Sequence, residues 1–309
     1  MKKISIVTSC FNEEDNISIL YKKLSAIIDN LQSRYDFEII FIDNASTDFT
    51  QDELKKIALD DKRVKLILNS RNFGNIKSPY YAICQATGDA IIYLASDLQD
   101  PPELIYDFIE NWEKGCEVVI ARKYDSNKIA FLDLMRKFYY FALDILKDEG
   151  TKLVRNYNGF GLYDKKVIDK VKEVDDPYPF FRGAVLDLGY RMKIIDFNQP
   201  ERKNGIDKQN LLTLWDNGML GLTRTTKIPI HIITMLGFFG TLITAVLVLL
   251  SLICYVGYVN FIIPKKMLSL YLLMFIQILS VGMIGEYLIM LCRFAEKKPL
   301  VIEKERVNF

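Results

Sequence analysis

Histidine is almost missing: the chain of 309 residues has one, His231. A histidine-based nucleophile triad and a His-rich metal centre are thereby excluded. Cysteine is sparse, with five residues (Cys10, Cys84, Cys116, Cys254, Cys292) at no paired spacing. That pattern argues against a disulfide framework or a zinc site and fits a reducing compartment. An excess of charge of either sign is also lacking, since the formal net charge is +1. Whole-chain electrostatics therefore suggest no nucleic-acid partner. The N-terminus runs straight into a strand-like segment, without the pattern of a cleavable signal peptide.

Charge itself is lacking in two stretches. Ile228–Pro264 contains no Asp, Glu, Lys or Arg, and after Lys265 and Lys266 neither does Met267–Gly285. A membrane helix needs about 20 apolar residues, because the hydrocarbon core offers no water to pair with the backbone. Two transmembrane helices are expected, Ile232–Tyr258 and Leu268–Cys292, joined by a short turn. Arg224, Lys227, Arg293, Lys297 and Lys298 flank the outer ends of this hairpin, against Lys265 and Lys266 at its turn. The excess of cations places both termini and the N-terminal head in the cytoplasm.

What is present in the head is an alternation of strand and helix. Short apolar runs at Ile4–Ser9, Phe37–Ile42, Val64–Leu68, Ala90–Leu94 and Val118–Ala121 read as buried strands. Between them, helical spacing covers Asp15–Asn30, Asp52–Leu59, Ile76–Ala86 and Pro102–Lys114. That order predicts an α/β fold with a mostly parallel sheet covered on both faces. Ligands of such sheets gather at the carboxyl ends of the strands. The residues there are polar: Cys10-Phe11-Asn12-Glu13-Glu14, Asp43-Asn44-Ala45-Ser46-Thr47-Asp48, Asn69-Ser70-Arg71-Asn72-Phe73-Gly74, the run Ala95–Glu103, and Arg122-Lys123. Together they suit a nucleoside diphosphate held with a metal ion.

The motifs FNEEDNI, IDNASTD, SRNFG and SDLQDPPEL, in this order and spacing, carry a family resemblance, as do the later GFGLYDKKVID, FFRGAVLDLGYR and TLWDNGMLGLT. The chain resembles family 2 glycosyltransferases of GT-A fold, and among them the polyprenyl-phosphate glycosyltransferases. The resemblance covers nearly the whole chain and includes the paired C-terminal hairpin. It implies inverting transfer of a sugar from a nucleotide sugar (UDP- or GDP-linked) to a polyprenyl phosphate, with Mg²⁺ or Mn²⁺ as cofactor. On the matching positions, Asp97 and Gln99 would hold the metal, and Asp43 would read the nucleobase. Ser9, Phe11 and Glu13 would wall the same pocket, with Arg71 along the base and diphosphate. Arg122 and Arg136 would bind the lipid phosphate, helped by Lys123 and Lys137. Arginine suits that task because its planar fork meets two phosphate oxygens at once.

Three positions depart from the family pattern. Ala95 stands where D-x-D begins, Asn44 where DDGS has its second acid, and Asn158-Gly159-Phe160-Gly161-Leu162 where many relatives have GDFRL. The last removes both an acid and an arginine. Asp164 is expected to cap a helix rather than to catalyse, and Glu286 to pack or reach the interface.

The expected division is 1–205 catalytic, 206–229 interfacial, 230–293 hairpin and 294–309 a cytoplasmic tail. Leu211, Leu212, Trp215, Met219 and Leu222 recur at helical spacing and predict an amphipathic helix at the membrane surface. ERKNGIDKQN before it is a polar loop able to order over the donor. Ser280, Gly282 and Gly285 permit close helix contact, and relatives suggest a homo-oligomer, as large as a tetramer. Three readings follow: transfer to a polyprenyl phosphate in the bacterial plasma membrane, with UDP-glucose the preferred donor; transfer to a growing or lipid-linked glycan; and a catalytically silent binder of nucleotide sugars.

Overall fold

The computed structural model describes residues 1–124, 154–174, 176, 179–200, 239, 264–295 and 299–309. Arg136, the amphipathic segment with Trp215, the ERKNGIDKQN loop and, but for Phe239, the first expected span lie outside them. Two compact units divide the chain. One holds Met1–Lys137, Gly150–Thr213 and Lys297–Phe309; the other holds Phe138–Glu149 and Leu214–Glu296.

The first unit begins with alternating strands and helices: β1 (Lys2–Cys10), α1 (Glu14–Leu31), β2 (Tyr35–Asp43), α2 (Thr50–Asp60), β3 (Val64–Asn69), α3 (Gly74–Gln85) and β4 (Ala90–Ala95). A 3₁₀ turn (Pro102–Leu104) leads into α4 (Ile105–Glu113) and β5 (Val118–Lys123). Then come β6 (Gly161–Asp164), α5 (Lys165–Glu173), α6 (Phe181–Asp187) and β7 (Met192–Phe197), and, at the chain's end, β8 (Glu303–Val307). The helices form where apolar residues recur every three or four positions. In α1 these are Ile17, Leu20, Leu24, Ile27, Ile28 and Leu31, all buried against the sheet's first layer.

One sheet runs β7-β5-β6-β4-β1-β2-β3-β8. β1 pairs in parallel with β2 and β4, β2 with β3, and β5 with β7. The α/β expectation holds, but the sheet is mixed. β6 lies antiparallel between β4 and β5, and β8 lies antiparallel on the outer edge of β3. β6 enters there because Gly161 has no side chain: a Cβ at that position would strike the Val119 carbonyl. Behind it, fully buried Phe160 packs edge-on against Phe108 and Phe197, at 5.0 and 5.7 Å between ring centres. The residues read as a tail thus complete the sheet. Val301 is buried, Asn308 donates to the carbonyls of Ala58 and Val64, and Lys55 pairs with Glu305 at 2.6 Å.

In the second unit, α7 spans Pro264–Ala295, 32 residues containing the second expected span, with Lys265 and Lys266 in its first turn. Leu270, Val281, Ile284, Leu288, Ile289 and Leu291 are exposed on it. Not all of its side chains are described, Glu286 among those left out. Among the described residues, no helix is long and apolar enough to cross a membrane.

Candidate active site

Parallel register brings the strand ends to one line. Cys10 faces Asp43, Asp43 faces Leu68, and Ser9 faces Ala95. The loops after β1, β2, β3 and β4 therefore meet along one edge, and they carry Phe11, Glu13, Arg71, Asp97 and Gln99. Three of them are held in left-handed backbone at residues that are not glycine: Asn12 (φ 53°), Ala45 (φ 61°) and Leu98 (φ 60°). Such residues cost about 1–2 kcal/mol each and persist where the surroundings dictate them, typically at functional sites.

The first two loops are stitched together. The Asn12 amide donates to Ser46 Oγ at 2.9 Å, Thr47 N–H to Asn12 Oδ1 at 2.8 Å, and Glu13 N–H to Thr50 Oγ1 at 2.8 Å. The Glu13 carboxylate turns back to accept from Asn16 at 2.6 Å. Asp43 is fully buried; its carboxylate accepts from Ser46 N–H (3.0 Å), the Ser46 hydroxyl and Gln51 Nε2 (2.6 Å). It shapes the turn from beneath.

Asn44 ties the second loop to the third. Its Nδ2 donates to Asn72 Oδ1 (2.8 Å) and the Gly74 carbonyl (3.2 Å), while its Oδ1 accepts from Asn69 Nδ2 (3.1 Å) and Phe73 N–H (2.8 Å). An aspartate here has no N–H to donate and would meet two acceptors with a charge. This explains why the amide replaces the family's acid. Beyond it, the exposed Arg71 lies over the Phe73 ring at 4.1 Å.

The fourth loop holds the metal candidates. Asp97 and Gln99 are half-buried, and Asp97 Oδ1 accepts from Gln99 N–H at 3.1 Å, with Leu98 strained between them. Beneath lies Asp100, 1% exposed, which sequence reasoning did not single out. Its carboxylate accepts from Ala95 N–H (3.0 Å) and Asn158 Nδ2 (3.2 Å). Burial raises its pKa, and the Asp97 charge adds to this, against the pull of Lys123 and those two hydrogen bonds. Tyr93 bonds to Ser9 across β1 and β4 at 3.1 Å, and burial pushes its hydroxyl up to about 12.

The GDFRL departure has a backbone cause. Gly159 sits at φ 105°, facing the Tyr93 ring, and Gly161 has no room for a Cβ. Neither the acid nor the arginine of the relatives fits this backbone. Asp164 caps α5 through Lys166 N–H at 3.1 Å and accepts from Trp112 Nε1 at 2.8 Å, as expected of a cap.

Arg122 lies two strands away from Ala95, across β6, about 10 Å at the usual strand spacing. It is already paired: Nε and Nη2 grip Asp196 of β7 at 2.6 and 2.9 Å. Asp196 raises the Arg122 pKa, and Arg122 in turn lowers that of Asp196. No sequence signal marks Asp196, since only the strand pairing Arg122↔Asp196 juxtaposes them. Arg182 of α6 reaches the Tyr157 carbonyl at 3.4 Å and also acts electrostatically on Tyr93.

The profile of glycosyl transferase family 2 matches residues 5–172, which include all of these loops up to Asp164. A bactoprenol glucosyl transferase of Shigella phage SfX is 28% identical over 98% of this chain and 99% of its own length. A prophage bactoprenol glucosyl transferase homolog of Escherichia coli is 30% identical over 98% of both chains. Among solved structures, a glucosyl-3-phosphoglycerate synthase from Mycobacterium tuberculosis, crystallised with Mn²⁺, uridine diphosphate and phosphoglyceric acid, is similar at 17% identity. The similarity covers 72% of this chain and 76% of that one, at a TM-score of 0.47. With more than half of its length under the family profile, the chain belongs to glycosyl transferase family 2 and is a glycosyltransferase.

Proposed function

We propose that the protein transfers a sugar, with inversion, from a nucleotide sugar to the phosphate of a polyprenol at the cytoplasmic face of a bacterial plasma membrane. UDP-glucose is the preferred donor. One observation carries this reading: the similarity to bactoprenol glucosyl transferases extends past the catalytic domain over 98% of the chain. The charge-free runs of the sequence and the exposed apolar residues of α7 support the membrane hairpin.

In the reaction a phosphate oxygen of the lipid attacks the anomeric carbon. The bond from that carbon to the nucleoside diphosphate breaks, and the diphosphate leaves with the electron pair. A phosphate monoester has a second pKa of about 6, so at neutral pH the nucleophile is already largely ionised. That removes the need for a strong base, in keeping with Gly159 at the acid's usual place.

The leaving diphosphate needs positive charge. A divalent cation, when bound, supplies it. Among the described residues no group of three His, Cys, Asp or Glu can hold a metal. Asp97 and Gln99 nevertheless fit Mg²⁺ or Mn²⁺, which take one or two carboxylates and complete their shell with substrate phosphate and water. Gln99 orients Asp97 through its backbone amide, while Arg71 meets the diphosphate and Asp43 braces the base-side turn. Arg122 receives the acceptor phosphate by exchanging one arm from Asp196, aided by Arg136.

The test is transfer in detergent with undecaprenyl phosphate, a panel of radiolabelled UDP- and GDP-sugars, and Mg²⁺, Mn²⁺ or EDTA. Labelled polyprenyl-phosphate sugar is expected, lost with EDTA and with Asp97→Ala by at least about 100-fold. Label entering only glycan would favour the second reading, and donor binding without turnover the third. A fully active Asp97→Ala would remove the metal assignment.

A further inference from the structure

The last residues of the chain form a strand on the sheet edge next to the donor loops. β8 pairs with β3 through Leu66↔Val307, Ile67↔Arg306, Leu68↔Glu305 and Asn69↔Glu303, with a register shift between Leu68 and Asn69. Pairing runs on beyond the strand: Ser70 N–H donates to the Ile302 carbonyl at 2.9 Å. The next residue is Arg71. Asn69, on the other side of Ser70, is buried and anchored to Asn44 and to Ser78 Oγ at 2.9 Å. The SRNFG loop therefore leaves β3 between two clamps, the amide network on one side and the C-terminal segment on the other.

That segment is firmly seated. Tyr81 donates to Glu303 at 2.9 Å, Arg306 bonds Glu303 and Gln85, and Asn308 donates to Ala58 and Val64 at 2.7 and 2.8 Å. Lys65 and Arg306 lie over the Phe309 ring at 5.0 and 4.4 Å. Glu303–Arg306 alternate in charge and offer little apolar surface, so pairing and these ties, added to the contacts of Val301 and Val307 with the core, keep the strand in place.

We infer that the C-terminal strand is a positioning element of the donor site: by pinning Ser70 it fixes the loop that presents Arg71 to the nucleoside diphosphate. This rests on the donor-site reading given above. An unpinned loop opens locally at little cost, and its cation then binds only after the loop is ordered again.

The experiment compares the full chain in detergent with a variant stopped after Pro299. Hydrogen exchange reports the Ser70–Phe73 amides, and titration with uridine diphosphate and guanosine diphosphate reports the site. Truncation is expected to speed exchange at Ser70–Phe73 roughly tenfold while Ile39–Phe41 stays protected, and to weaken the bound diphosphate roughly tenfold. A peptide of residues 300–309 should reverse both. Unchanged exchange at Ser70–Phe73, or faster exchange with unchanged affinity, overturns the inference. If the full chain binds neither diphosphate, the donor reading falls on its own account, whatever the exchange shows. Should Ile39–Phe41 lose protection on truncation, Asn308→Ala replaces it, with about threefold expected in each readout and no change counting against the inference.

Discussion

Ala45 shows how a single residue can record a compromise. It occupies φ 61° in the turn above Asp43, the conformation that suits glycine, and the family's glycine stands at this place in its motif. An L-residue there costs about 1–2 kcal/mol, of which glycine's greater unfolded freedom returns about half. Ala45→Gly is therefore expected to stabilise the head by about 0.5–1 kcal/mol, read as a rise of roughly 2–3 °C in thermal midpoint. A fall in the midpoint would mean that the Ala45 methyl makes a contact outweighing the strain. The candidate site was legible to the extent that its residues follow strands: Asp43, Arg71, Asp97, Gln99 and Arg122 stand where short apolar runs end. Asp100 and Asp196 were not legible. Burial of the first and pairing of the second depend on partners 58 and 74 residues distant in sequence, which no local pattern records.

At the scale of elements, the opposite end of the sheet carries its own electrostatic lock. Glu38 of β2 is buried among Lys3 of β1 (2.8 Å), Lys65 of β3 (2.8 Å), Ser5 (2.5 Å) and Thr87. Burial works to raise its pKa, but the hydrogen bonds from Lys3, Lys65, Ser5 and Thr87 outweigh it and hold the value at about 2, against 4.5 for a free glutamate. A depressed carboxylate stabilises the fold above its unfolded pKa and loses that contribution as pH falls toward the folded one. The window here is pH 4.5 down to about 2. Glu38→Gln should cost up to about 3 kcal/mol at pH 7 and progressively less below pH 4.5. Thermal midpoints of both proteins at pH 7 and pH 3.5 test this; a gap that widens at pH 3.5 would refute it. The parallel strands joined at this end were readable because each is an apolar run buried on both faces. β6 and β8 were not. GLYD has four residues, and EKERV has no apolar run at all; each becomes a strand only because a neighbouring edge accepts its hydrogen bonds.

Over the whole molecule, the path of the chain sets a condition on the proposed membrane hairpin. The chain leaves the sheet after β7, at one edge, and returns as β8 at the other. Seven strand spacings of about 4.8 Å separate those edges, roughly 34 Å. A single crossing would deliver the chain to the wrong side of the bilayer for β8 to join the sheet, so the intervening segment must cross an even number of times or not at all. Two charge-free runs with Lys265 and Lys266 between them match a double crossing. The prediction is directional. In a cysteine-free background, a cysteine at Lys265 should react in intact spheroplasts with a membrane-impermeant maleimide, whereas one at Lys304, on β8 in the head, should react only after lysis. Equal labelling of both before lysis would put the head outside. Protection of both until lysis would leave the turn on the head's own side and overturn the double crossing.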